Sequence, residues 1–263
     1  MLIQLASTGG ESARLGRTPA SLASIDQLHV GQLESTIAFA DWIGLDPGAR
    51  VLDLGAGLGG PARFLAATRG ADVWAVEVVP ELHDAAVALT ARLGLGDRVH
   101  HELAEIGASG AVGPFDLVWI EHVDMHVPDK RGLYASAASR LGPRGRVVWH
   151  DWLAGPAGPP HWPLFWSADG GISFLSAEAA FREDLAASGL ALHRFEPIAD
   201  TTRGWLSRSK EALARALAQA AASSAPDAGK IARVRRLLDE TDNALRSVDE
   251  GRLVPFFAEA RAR

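Results

Sequence analysis

A chain of 263 residues has room for one large domain with a buried core, and its 48% hydrophobic and 22% charged residues are typical of a soluble globular protein. The net charge of −6 argues against electrostatic binding of nucleic acid or anionic lipid, and the absence of cysteine excludes disulfides, thiolate nucleophiles and cysteine zinc sites. No stretch resembles a signal peptide or a membrane span, so we expect a cytoplasmic protein with no nucleic-acid or membrane partner.

Between residues 50 and 151, short apolar runs alternate with alanine-rich runs. The runs that predict strands are 50–54, 72–77, 98–101, 115–120 and 145–150. The runs that predict helices are 60–68, 80–93 and 129–141, and a helical stripe at 33–43 precedes the first strand. Strands that alternate with helices predict a parallel sheet built from βαβ units.

This pattern changes after residue 151, where a glycine- and proline-rich run at 155–160 is surrounded by aromatic residues. The elements predicted next are a helix at 177–188, a strand at 190–197, helices at 201–222 and 230–248, and a last strand at 253–260. We therefore divide the chain into an N-terminal flap and helix (1–49), a cofactor-binding α/β core (50–151), an aromatic lid loop (152–176), and a remainder of the core (177–263) with a helical cap at 201–248.

A glycine-rich turn follows the first predicted strand and leads directly into a helix. Without Cβ atoms the backbone can approach a ligand, and the helix N-terminus presents unpaired N–H groups to it. Gly55, Gly57 and Gly60 match the G-x-G-x-x-G pattern of dinucleotide sites, and Glu77 ends the next strand, where an acid can accept from ribose hydroxyls. The turn by itself leaves a nicotinamide cofactor and S-adenosylmethionine as alternatives.

Asp53, two residues before the first glycine, favours the second alternative. A carboxylate repels a pyrophosphate but attracts the cationic methionine end of S-adenosylmethionine. Together with the runs at 115–119 and 141–148, this part of the sequence resembles the class I S-adenosylmethionine-dependent methyltransferases. The resemblance implies a Rossmann-like α/β fold, with a mostly parallel seven-stranded sheet, an antiparallel last strand and an inserted helical cap.

Two segments narrow the resemblance. Residues 26–31 (DQLHVG) are similar to a D-Q-F-H-x-G segment, and residues 57–63 (GLGGPAR) to a G-x-G-G-P-A-R loop. Both are typical of the branch that contains sarcosine/dimethylglycine methyltransferase-like proteins, tocopherol methyltransferases and natural-product sugar O-methyltransferases. Leu28 and Gln32 depart from the branch, which has phenylalanine and glycine at these positions. The motifs are specific to cofactor and fold rather than to substrate.

By this resemblance, the chain uses S-adenosylmethionine and releases S-adenosylhomocysteine. The implied cofactor-binding residues are His29, Asp53, Gly55, Gly57, Gly59, Glu77, Val78, Glu105, Ile106 and Glu121. Glu77 would hold the ribose and Glu121 would approach the amine at the end of the fourth strand. Glu105 would bind the adenine amine, although it replaces an aspartate of the family, and a solvated loop acid is its alternative role.

His126 is the predicted catalytic base, because it follows the fourth strand at the ligand-binding edge and an imidazole pKa near ~6.5 suits proton removal around neutrality. Asp151 ends the fifth strand, where it could orient the imidazole or take a substrate proton. Sugar O-methyltransferases of the branch have a similar histidine and aspartate, which favours hydroxyl chemistry. In the structural alternative, the histidine caps a helix and the aspartate pairs with an arginine.

Aromatic side chains around the lid loop are predicted to wall the substrate cavity, although part of the set is expected to be ordinary core. The predicted substrate residues are Trp152, His161, Trp162, Trp166 and Phe174. A divalent-metal site among His122, Asp124, His126, His150, Asp151 and His161 is the weaker interpretation, because neighbours along a strand point apart and no H-E-x-x-H-type spacing is present. We therefore predict no metal ligands.

The expected function is transfer of a methyl group to a small-molecule acceptor, with a natural-product hydroxyl favoured over nitrogen or carbon. A protein of this fold that templates a cyclisation without methyl transfer is an open alternative, as is a nicotinamide enzyme. A homodimer is compatible with the sequence.

Overall fold

The computed structural model describes residues 18–223 and 227–263, so the first 17 residues of the predicted flap and residues 224–226 between the last two helices lie outside it. The strands are β1 (Arg50–Leu54), β2 (Asp72–Glu77), β3 (Val99–Leu103), β4 (Phe115–Glu121), β5 (Leu141–Ala154), β6 (Leu190–Pro197) and β7 (Leu253–Ala262). The helices are α1 (Pro19–Asp26), α2 (Gln32–Ile43), α3 (Gly60–Arg69), α4 (Pro80–Leu93), α5 (Lys130–Ser139), α6 (Glu178–Ala187), α7 (Ala199–Ala221) and α8 (Ala228–Asp249), with short 3₁₀ turns at Ile106–Ala108 and Asp124–His126.

The strands form one seven-stranded sheet in the order β3-β2-β1-β4-β5-β7-β6. Neighbouring strands are parallel except at β7, which runs antiparallel to both β5 and β6. The predicted fold class is therefore confirmed. The chain order reverses between β1 and β4, and ligands of open α/β sheets bind outside the carboxyl ends of the strands at such a point.

Two elements differ from the predictions. β5 begins at Leu141, which pairs with Phe115 of β4, and it continues to Ala154 because residues 146–154 pair with β7. An additional helix, α1, precedes the predicted one and begins at a capping box, in which the Thr18 side chain accepts from the Ser21 N–H and Pro19 occupies the first turn.

Three groups of buried apolar side chains stabilise the fold. The first joins α2 and α3 to one face of the sheet through residues such as Phe39, Leu65 and Trp119, and the second joins α5 and α6 to the other face. The third group, which includes Trp152 and Leu206, lies between β5 and the two helices α7 and α8. Because α7 follows β6 and α8 precedes β7, this cap is connected at the carboxyl edge of the parallel strands. No helix in the described part of the chain combines the length and apolarity needed to cross a membrane.

Candidate active site

A cavity of about 450 Å³ lies at the carboxyl ends of β1, β2 and β4, and the segment between α1 and α2 closes one side of it. The cavity brings together most of the residues that the motifs predict for cofactor binding, and His126 with them. The predicted residues in its lining are His29, Asp53, Gly55, Gly57, Glu77, Val78, Ile106, Glu121 and His126.

The turn after β1 presents backbone to this cavity. Gly55 has φ +77°, and the N–H groups of Gly55 and Ala56 donate to the Val76 carbonyl at 2.9 and 3.0 Å. A Cβ on Gly55 would lie 2.4 Å from Val123 Cγ2, so this position has no space for a side chain. At Gly57, with φ +56°, the nearest such contact would be Leu28 Cδ1 at 3.6 Å, which leaves room for a ligand to approach the backbone.

Three carboxylates from adjacent strands face the cavity. Glu77 accepts from the Gly57 N–H at 2.8 Å through Oε2, and from the N–H groups of Val78 and Val79 at 3.0 and 2.9 Å through Oε1. Asp53 is buried, and its Oδ2 has no hydrogen-bond partner among the described residues. Burial, reinforced by the nearby charges of Glu121 and Glu77, raises the pKa of Asp53 well above its usual range.

The segment between α1 and α2 is fixed by a buried ion pair. Arg63 Nη2 donates to Asp26 Oδ2 at 2.7 Å and to the Leu58 carbonyl at 2.6 Å, while Nη1 reaches the Ala86 carbonyl at 3.3 Å and Thr90 Oγ1 at 3.2 Å. Burial raises the pKa of Asp26 and lowers that of Arg63, and the attraction between them opposes both shifts. Asp26 and Arg63 belong to the two sequence motifs at 26–31 and 57–63. The ion pair thus brings into contact two motifs that lie far apart along the chain.

Glu121 is the centre of a hydrogen-bonded cluster at the end of β4. Its Oε1 lies 2.8 Å from His150 Nδ1 and 3.3 Å from His29 Nε2, and its Oε2 accepts from Trp119 Nε1 at 3.0 Å. Burial raises the pKa of Glu121, against the opposing effects of His29 and Trp119. The ring of His122 lies close by, with its centroid 4.7 Å from that of His150. Sequence reasoning placed His122 and His150 only in the metal interpretation and missed their contact with this cluster.

His126 ends the 3₁₀ turn after β4, lines the cavity and is exposed. Among the described residues, no hydrogen bond connects the His126 ring to Asp151. Asp151 is fully buried, and its Oδ2 accepts from the N–H groups of Val123 and Asp124 at 2.8 and 2.7 Å, while Oδ1 accepts from the Trp152 N–H at 2.8 Å. Asp151 thus shapes the turn that carries His126 rather than orienting the imidazole directly.

Two predicted cofactor residues lie outside the cavity lining. A Cβ on Gly59 would meet Arg63 Nη1 at 2.8 Å and His101 Cε1 at 3.2 Å, so this glycine permits the close packing of α3 against β3. Glu105 is exposed ahead of the Ile106–Ala108 turn, whereas its neighbours Ala104 and Ile106 line the cavity.

The five predicted substrate residues also lie outside the lining of this cavity. Trp152 and Trp166 are buried in the third core group, and Trp162 packs against that group. His161 Nε2 lies 2.8 Å from Glu250 Oε2 and joins the lid loop to α8. Phe174 is the most exposed of the five at 41%, and its N–H donates to the Met125 carbonyl at 2.7 Å. The aromatic set therefore attaches the cap and the lid loop to the sheet. No group of three or more potential metal ligands is found among the described residues.

The lining fits S-adenosylmethionine. The unpartnered Oδ2 of Asp53 lies buried among like charges, so a cationic ligand would stabilise its ionised form. Glu77 is held in place by three backbone N–H groups, and its Oε2 keeps one lone pair with which to accept from a ribose hydroxyl. The fold and the site together are those of an α/β protein that binds a positively charged nucleoside cofactor.

Comparison with known proteins identifies the family. Residues 31–194 match the family model described as a methyltransferase domain, and the chain belongs to this family of S-adenosylmethionine-dependent methyltransferases, which confirms the resemblance seen in the sequence. Over 137 residues the chain is 31% identical to a "Probable tocopherol O-methyltransferase, chloroplastic" of Oryza sativa subsp. japonica, covering 51% of this chain and 38% of the relative. The chain thus spans less than half the length of that curated relative.

Two solved structures share the fold. Geranyl diphosphate C-methyltransferase from Streptomyces coelicolor A3(2), in complex with Mg²⁺, geranyl diphosphate and S-adenosyl-L-homocysteine, superposes with a TM-score of 0.68 and 16% identity, covering 87% of this chain and 77% of that one. The [4+2]-cyclase SpnF superposes with a TM-score of 0.67 and 19% identity, covering 87% and 79% of the two chains. At these identities the similarity concerns the fold alone.

Proposed function

We propose that the protein transfers a methyl group from S-adenosylmethionine to a hydroxyl of a small natural-product metabolite, with His126 as the base. One observation carries this proposal. His126 is the exposed histidine of a cavity in which Asp53, Glu77 and Glu121 suit a cationic nucleoside, so it stands where solvent and an acceptor can reach it.

The state of the His126 ring suits a base. Partial burial and the charge of Lys130 lower the pKa of His126, so the ring is neutral at pH 7. Interaction with the Ile172 backbone opposes this shift only in part, and in the neutral ring one nitrogen carries the proton. The other nitrogen therefore keeps a lone pair with which to accept a proton.

The remaining residues bind and align. When bound, S-adenosylmethionine supplies an electrophilic methyl group on a positively charged sulfur. Asp53 and Glu121 hold the cationic part of this donor, and Glu77 holds its ribose. His126 accepts the proton of the acceptor hydroxyl, which makes the oxygen more nucleophilic, and alignment at the strand ends supplies much of the remaining acceleration.

The relatives are named for methylation of oxygen, nitrogen or carbon, and one of them supports oxygen as the acceptor atom. The rice relative is named an O-methyltransferase, whereas the Streptomyces structure is that of a C-methyltransferase on the same fold. The similarity to SpnF keeps a cyclisation without methyl transfer as the second candidate. The two candidates differ in whether S-adenosylhomocysteine is released during turnover.

The test is incubation of the purified protein with S-adenosylmethionine labelled in the methyl group and a metabolite extract of the source organism. We expect labelled product and stoichiometric S-adenosylhomocysteine. His126→Gln should lower turnover by about 10²–10⁴-fold, the contribution of a general base, and leave S-adenosylhomocysteine affinity unchanged. His193→Gln, at an exposed position of β6, is the matched control and should be fully active.

Two results would contradict the proposal. Full turnover of His126→Gln at neutral pH would indicate an amine or carbon acceptor that needs no base. Consumption of a metabolite without any S-adenosylhomocysteine would indicate the cyclisation instead.

A further inference from the structure

The side chains of the cavity offer very few hydrogen-bond donors to a ligand. Among the described residues that line it, every side chain is apolar or a carboxylate except those of His29, His122 and His126. The amino-acid part of the methyl donor, however, is a zwitterion with a carboxylate beside its ammonium group. Asp53 and Glu121 suit the ammonium group, but the carboxylate needs an N–H donor from another residue.

Two of the three histidines are committed elsewhere. His29 Nε2 lies 3.1 Å from the Gln32 carbonyl, which can only accept, so in the neutral ring Nε2 carries the proton and Nδ1 cannot donate. His126 is the exposed ring of the three and is assigned to the acceptor in the proposed function. The His29 ring therefore has no free N–H for a ligand oxygen, and the His126 ring serves the acceptor.

His122 has the opposite arrangement. Its Nδ1 accepts from Trp152 Nε1 at 3.2 Å, and an indole nitrogen can only donate. The proton of the neutral ring must therefore sit on Nε2, which is shielded from solvent and has no partner among the described residues. Burial and the neighbouring rings of His150, His29 and His126 keep the pKa of His122 well below its usual range, so the ring stays neutral. An unsatisfied donor of this kind is costly unless a ligand completes it.

We propose that His122 donates a hydrogen bond from Nε2 to the carboxylate of the methyl donor's amino-acid part, and that Trp152 positions it by fixing the tautomer. The inference rests on the proposed use of S-adenosylmethionine. It gives the buried Trp152 a function at the site that differs from the predicted wall of the substrate cavity.

The backbone at His122 determines which variants are informative. The residue has φ +54°, a conformation that glycine and asparagine adopt with little strain. His122→Gly therefore removes the donor without forcing the turn, and His122→Asn keeps a short side chain with an amide N–H. Urea unfolding of both variants should show that the fold is retained.

Titration calorimetry with two ligands tests the proposal. S-Adenosylhomocysteine has the carboxylate, whereas 5′-deoxy-5′-methylthioadenosine has the adenosine and the sulfur but no amino-acid part. We expect His122→Gly to weaken S-adenosylhomocysteine by about 10-fold to 100-fold, as for loss of a hydrogen bond to a charged group, and to leave the second ligand unchanged. His122→Asn should recover part of the loss, and Trp152→Phe should show a smaller loss with the same selectivity.

Equal weakening of both ligands, or no weakening of S-adenosylhomocysteine, would overturn the role of His122. Failure of the unsubstituted protein to bind S-adenosylhomocysteine at all would instead overturn the proposed function. The two failures are therefore distinguishable in one set of titrations.

Discussion

Loss of the buried ion pair between Asp26 and Arg63 should lower both the stability of the fold and the affinity of the cavity for its ligand. Asp26→Asn keeps the shape of the side chain but leaves the fully buried guanidinium of Arg63 without its counter-charge, with backbone carbonyls and Thr90 as its remaining acceptors. Removing one partner of a buried pair costs about 3–5 kcal/mol. At about 2–4 °C per kcal/mol for a chain near this size, the melting temperature should fall by roughly 6–20 °C.

Urea unfolding at pH 7.5 measures this loss. The matched control is Glu34→Gln at an exposed ion pair, in which Arg208 Nη2 lies 2.7 Å from Glu34 Oε1. This variant should lower the free energy of unfolding by less than about 1 kcal/mol. The double variant Asp26→Leu with Arg63→Met removes both charges and should be more stable than Asp26→Asn alone. S-Adenosylhomocysteine should also bind more weakly to Asp26→Asn, because Leu28 and His29 follow Asp26 into the cavity lining.

A free energy of unfolding for Asp26→Asn within about 0.5 kcal/mol of the unsubstituted protein would refute this reasoning. It would mean that Arg63 is neutralised or hydrated in the folded chain, and that the segment between α1 and α2 is held by other contacts.

Three further predictions concern charged groups at or near the site. Asp53→Asn should weaken both S-adenosylmethionine and S-adenosylhomocysteine in calorimetry, because both carry the ammonium group that Asp53 suits. It should not lower the stability of the free protein, since it removes a buried carboxyl among like charges. Burial lowers the pKa of His101 to about 4 and that of His150 to about 3, so below pH 6.5 the unfolded chain binds more protons than the folded one. The free energy of unfolding should therefore fall by about 1.4 kcal/mol per pH unit for each histidine as the pH drops from 6.5 toward 4. In urea unfolding at several pH values, His101→Gln should reduce this slope by the equivalent of about one proton. Asp151→Asn should lose about 1–3 kcal/mol of stability through its three backbone partners, and a lower turnover at unchanged stability would show instead that Asp151 acts in the chemistry.

The parts of the site that were predictable from sequence lie at the ends of strands. Alternation of short strands and helices placed Asp53, Glu77 and Glu121 at the carboxyl ends of β1, β2 and β4, and parallel strands bring these ends to one edge. The glycine turn was recognisable because its positive φ angles demand glycine at Gly55 and Gly57. Each of these inferences depends on local backbone geometry, which the chain encodes within a few residues.

The parts that were not predictable depend on contacts between distant segments. The sequence does not distinguish an aromatic residue that lines a substrate cavity from one that is buried in a core. Trp152 and Trp166 could therefore not be assigned to the third core group in advance. Asp151 was expected at the end of its strand, but β5 continues to Ala154. The hydrogen bonds of Asp151 go to backbone groups of the turn after β4, whose course depends on tertiary packing. The pairing of Asp26 with Arg63 spans two helices and has no local signal.

Three histidines at one cavity show how partners divide the roles of a single residue type. Each ring is favoured in the neutral form, so each has one nitrogen that donates and one that accepts. The acceptor beside His29 is the Gln32 carbonyl and the donor beside His122 is the Trp152 indole, whereas the ring of His126 is exposed. The first ring is therefore a structural contact to Glu121, the second keeps an N–H for a ligand oxygen, and the third keeps a lone pair for a proton. Exchanging a partner should exchange the role, which is why Trp152→Phe should affect ligand binding although Trp152 lies outside the cavity lining.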